Sequence, residues 1–75
     1  MQTELEKLYE ECEELRALLD MYDHEITYLE EYLANKPGLS GRIATDLLRA
    51  QARRTELRAN FASNESKIKS LKTAN

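Results

Sequence analysis

Cys12, His24 and the carboxylates around them are the side chains in this 75-residue chain whose types reach beyond packing. A lone cysteine can act as a nucleophile only where its thiolate is stabilised, and Cys12 instead falls on an apolar helical stripe, where a thiol is a small buried hydrophobe. Asp20 and the single histidine, His24, are four residues apart and share a helical face. Two ligands without a third make a poor metal site. Glu10, Glu11, Glu13 and Glu14 read as a solvated acidic face. With only two glycines there is no phosphate-cradling loop, and no nucleophile elbow or paired-cysteine motif is present. The expectation is a protein without catalytic residues, metal or cofactor.

Charge carries more information. Residues 1–34 hold eleven acidic side chains against two basic ones, and residues 35–75 hold three against nine. The halves are thus −9 and +6, which gives the overall −3. The basic half presents Arg42, Arg49, Arg53, Arg54, Arg58, Lys67, Lys69 and Lys72, a set that a dimeric helical hairpin can use to grip RNA or DNA. The adjoining acid and an isoelectric point near 5.1 argue against nucleic acid as the partner.

The elements that place these groups follow from periodicity. With Leu5 at heptad position a, Cys12, Leu19, Ile26 and Leu33 fall at a, and Leu8, Leu15, Tyr22 and Leu29 fall at d, an unbroken apolar seam. Thr3 with Glu6 three residues on forms a capping box at its start. Pro37 disfavours helix at Lys36, and Gly38 is suited to a left-handed turn. The predicted first helix spans 4–34, a rod of about 45 Å. After a turn over 35–40, with Ser40 as N-cap, the second helix spans 41–72. Its seam is Ile43, Ala50, Leu57, Asn64 and Leu71 at d, with Leu47, Arg54, Phe61 and Ile68 at a. Arg54 and Asn64 are its two polar members, and both read as register devices. Ser63-Asn64-Glu65-Ser66 is its weakest stretch, with a kink or frayed end expected there.

The fold class expected is all-α: one domain over 1–75, an antiparallel two-helix coiled-coil hairpin that dimerises into a four-helix bundle. Matched helix lengths and a six-residue connection favour folding back. So does self-repulsion, since Glu6, Glu10 and Glu14 are spaced four apart on one helix, as are Arg49 with Arg53 and Arg54 with Arg58 on the other. Folding back is expected to set Glu30 and Glu31 near Arg42, Glu25 near Arg49, Asp20 near Arg53 and Arg54, and Glu4 and Glu6 near Lys69 and Lys72. Each exposed pair contributes only about 0–1 kcal/mol, so the charges choose partner and orientation while the seam stabilises.

A second apolar stripe, Leu18, Met21, Tyr28 and Tyr32 at g and c positions, flanks the first seam, with Glu25 its one charged interruption. The second helix has a counterpart in Leu48, Ala52, Ala59 and Ala62. A helix apolar on two sides needs two neighbours. Self-association is therefore assigned to Leu18, Met21, Tyr28, Tyr32, Leu48 and Ala52, with the chain itself as first partner. The row Glu6, Glu10, Glu13 and Glu14 is the expected contact with a second partner, a larger protein with a basic surface.

The function this implies is a non-catalytic interaction protein, a small acidic regulator or inhibitor that docks on, blocks or bridges a basic site otherwise open to nucleic acid, of the kind a virus or mobile element carries. The alternatives are a nucleic-acid-binding hairpin dimer using the basic helix and a purely structural coiled-coil unit. One cysteine forms no internal disulfide, and no stretch approaches the roughly 18 apolar residues of a membrane span. The first residues lack the basic start and apolar run of a signal peptide. A complete, cytoplasmic chain with no membrane contact is expected.

Overall fold

The computed structural model describes residues 2–36, 38 and 40–73, with the side chain of Ser40 outside the described set. Two helices, α1 (Glu4–Asn35) and α2 (Ser40–Thr73), pack against each other as a hairpin. Leu8 meets Ile68 near one end, and Asp23 meets Arg54 further along, so the helices run antiparallel. The result is a rod of 58 × 18 × 14 Å.

α1 begins where its cap predicts. Thr3 is extended (φ −73°, ψ 161°), and its hydroxyl accepts from the Glu6 backbone N–H at 3.1 Å. The Glu6 carboxylate in turn accepts from the same hydroxyl at 3.2 Å, which locks both side chains over the open first turn. At the other end the Lys36 N–H closes on the Tyr32 carbonyl at 2.9 Å. No described glycine has positive φ, so Gly38 does not supply the left-handed turn expected of it. Pro37 lies outside the described residues, as does the capping role expected of the Ser40 side chain.

α2 is one residue longer at each end than the 41–72 expected, and it runs unbroken through Ser63-Asn64-Glu65-Ser66. The frayed end expected there is absent for a local reason. Asn64, itself buried, donates from Nδ2 to Glu11 Oε2 of α1 at 3.1 Å, so its amide is engaged across the seam instead of competing for its own backbone.

The core is one side chain thick. Leu8, Cys12, Ile26, Ala50, Leu57 and Ile68 are its buried apolar members, with Ile26 at 1% and Leu57 at 2% exposure. Asn64 is the buried polar member, the other seam positions are half-buried, and at one end Leu5, Phe61 and Leu71 close over Leu8, Cys12 and Ile68. Arg54 is also half-buried. It donates from Nη1 to Asp23 Oδ1 at 3.1 Å, and Arg58 stands 3.8 Å from the same oxygen. The expected pairing of Asp20 with Arg53 and Arg54 is thereby corrected. Asp20 occupies a b position turned outward, whereas Asp23 at e borders the seam and faces the a and e positions of an antiparallel partner. Arg53, at g, turns to the opposite flank and pairs with Glu56 of its own helix at 2.9 Å. Among the described residues, none of the other expected cross-helix ion pairs closes.

Two outcomes follow for stability. Ile26→Ala truncates the most deeply buried side chain of the core and is expected to lower unfolding free energy by about 2–5 kcal/mol, while the exposed Glu31→Gln changes it by about 0.5 kcal/mol or less. Urea denaturation followed by circular dichroism measures both, and equal effects would contradict this account of the core. Replacing Arg54 and Asn64 together with Leu is expected to preserve or raise the melting temperature while broadening the oligomer distribution, because both give up directional bonds for apolar burial. A large loss of stability with a single unchanged oligomer would show instead that the bonds to Asp23 and Glu11 are indispensable.

Candidate interaction surface

The residues singled out for chemistry are absorbed into the helices. Cys12 is buried at 7% exposure, packed against Leu8 and Ile68 as a member of the seam. His24 directs Nδ1 at the Asp20 backbone carbonyl, 2.8 Å away, which takes that nitrogen out of any shared site with the Asp20 carboxylate. Among the described residues no three His, Cys, Asp or Glu side chains converge as metal ligands, and no helix is long and apolar enough to cross a membrane.

What remains is surface, and its geometry is set by the antiparallel packing. In such a pair the g and c positions of both helices share one flank, and the e and b positions share the other. Three grooves along the seam trace this division. Glu11, Glu14 and Leu18 of α1 lie beside Asn60, Ser63 and Lys67 of α2. Further along the same flank, Tyr22 and Glu25 lie beside Asp46, Arg49 and Arg53. On the opposite flank Tyr9 and Arg16 lie beside Phe61, Lys69 and Lys72. There Lys72 Nζ stands 5.3 Å from the Tyr9 ring centre and the Arg16 guanidinium 5.8 Å from that of Phe61.

The second apolar stripe lies on the first of these flanks and is open. Met21 is 54% and Tyr28 64% exposed, and Leu18 is exposed beside them. Tyr32 is half-buried, its ring centre 6.3 Å from that of Tyr28, with Lys36 Nζ 5.4 Å above it. Leu48, 67% exposed, and Ala52 occupy b and f positions of α2. They therefore face away from Leu18, Met21, Tyr28 and Tyr32, and the hairpin does not bring the two sets into one patch.

The acidic row falls on the outside of α1. Glu6, Glu10, Glu13 and Glu14 are all exposed, at b, f and c positions, and none is in an ion pair with a described cation. Glu6 is engaged by the Thr3 hydroxyl and Glu10 by the Gln2 amide, both neutral donors that leave the charge in place. The basic helix is more heavily engaged. Asp23 draws in Arg54 and Arg58, and the hydrogen bond and charge of Glu56, with Tyr22 as a lesser partner, hold Arg53 protonated above the ordinary arginine range.

Asp23 is an interacting residue that periodicity did not single out, and Glu11, expected on a solvated acidic face, instead accepts from Asn64 across the seam. Their signal was present: each is the acidic residue bordering the first seam, at e or g, at the level where a polar residue enters the second seam. No protein-family model, curated protein or solved structure matches the chain.

Proposed function

We propose that this chain is a non-catalytic interaction module, a small acidic regulator that docks through the outer face of α1 onto a basic surface of a larger protein, as a homodimer closed into a four-helix bundle. The observation that carries the reading is that Glu6, Glu10, Glu13 and Glu14 remain exposed and in no ion pair with a described cation once the acidic helix has folded onto the basic one, although Glu14 shares a groove with Lys67. Such a field speeds encounter with a cationic partner and is screened by salt. A basic surface that accepts this helix is one that otherwise accepts a nucleic-acid backbone, so the effect on the partner is inhibitory. The basic helix is the weaker candidate surface, because Arg53, Arg54 and Arg58 each already face a carboxylate. Exposure of Met21 and Tyr28 supports the dimer, since apolar and tyrosine side chains left in water favour association.

The test is affinity for the basic protein recovered by cross-linking in the native host. Changing Glu10, Glu13 and Glu14 to Gln is expected to leave helicity and oligomeric state intact and to weaken that interaction at least about tenfold, or roughly 1.4 kcal/mol, at low salt. Unaltered affinity would overturn the acidic docking face. Recovery of nothing but higher homo-oligomers would favour a structural assembly unit.

A further inference from the structure

The open stripe on α1 has an occupant that its surroundings single out. The chain exposes 5846 Å², whereas a compact monomer of its 8.7 kDa exposes about 4,700 Å². The excess of about 1,100 Å² is larger than the roughly 800 Å² each partner contributes to a standard interface. Level with the stripe, the g and c positions of α2 on the same flank are Asp46, Arg49, Arg53, Glu56 and Asn60, none of them apolar. Hence in a two-fold pair, which presents this same flank on both copies, Leu18, Met21, Tyr28 and Tyr32 gain apolar cover only from the partner's α1 stripe.

We infer that two copies associate α1 against α1 in antiparallel orientation, with the two-fold axis beside Glu25, so that Leu18 and Met21 of one copy approach Tyr28 and Tyr32 of the other. This rests on the homodimer reading above and specifies its contact. Orientation follows from charge. In a parallel pair Glu11 and Glu14, which line the same flank just before Leu18, would each meet their own copies. In the antiparallel pair the acidic first half of each α1 runs past the partner's turn instead, which leaves both docking rows open at opposite ends of the assembly. The stripe suits this reversal, because its steps of three, four, three and four through Glu25 read nearly the same in either direction. Glu25 is the one unfavourable element at the axis, and Arg49 and Arg53 of the same copy share its groove and offset its charge. Leu48 and Ala52, on the far side of α2, take no part.

Sedimentation velocity and cysteine cross-linking of the full chain test this, with the wild type and its buried Cys12 as the control. At about 100 μM, where a dimer with a micromolar constant is nearly complete, the wild type is expected to sediment as a dimer. Met21→Glu with Tyr28→Glu is expected to sediment as a helical monomer, and Leu48→Glu with Ala52→Glu as a dimer. Under oxidised glutathione, Glu25→Cys is expected to give a covalent dimer and Leu48→Cys none. Glu25→Leu is expected to tighten the dimer several-fold. A monomeric wild type would overturn the homodimer itself. A dimeric wild type in which Glu25→Cys stays reduced, or in which the Leu48 and Ala52 substitutions dissociate it, would leave the homodimer standing and overturn the α1-to-α1 contact.

Discussion

Two helices meeting along one seam can each bury a single stripe, and everything else about this protein follows from that restriction. Among the described residues the buried set is short, with Ile26 and Leu57 its fully buried large side chains, and the seam residues outside that set are half-buried. A layer this thin gains little per residue from burial, and chains of this size commonly complete their core by associating. The same restriction places most of both helices on the surface.

Charge acts on this frame as a selector. Like charges spaced along each helix disfavour the isolated helices and their parallel pairing, while the opposed halves favour folding back. Yet few of these charges pair. Asp23 takes Arg54 and Arg58, Arg53 pairs within its own helix, and the Glu6–Glu14 region faces solvent. Long-range complementarity is enough to set orientation without contact ion pairs, since exposed pairs contribute about 0–1 kcal/mol each. The acid not consumed in folding stays exposed on the outer face of α1.

Periodicity made the hairpin legible because a seam of apolar residues every three and four positions needs a facing seam to bury it, and the cap at Thr3 fixed where α1 begins. The ion pairs were misplaced because spacing gives which residues lie at the same level but not which flank each faces; Asp20 and Asp23 differ by one turn in level and by a b against an e position in direction. Asn64 was read as a weakness of α2 because its tendency to bond its own backbone is local, whereas Glu11, which satisfies it, is more than fifty residues away. The stripe on α1 was legible as apolar surface. Its separation from Leu48 and Ala52 required the packing, since only an antiparallel partner assigns each helix face to a flank.

The apolar seam holds the hairpin with little help from the acidic surplus, and the salt dependence of thermal unfolding reports how far the two share that role. If the seam dominates, raising sodium chloride from about 20 mM to about 1 M, where the screening length falls to about 3 Å, changes the melting temperature by no more than about 8 °C, equivalent to about 1 kcal/mol for a domain of this size. Collapse of the helical signal at high salt would contradict it, and would mean that the acid is spent on holding the helices together.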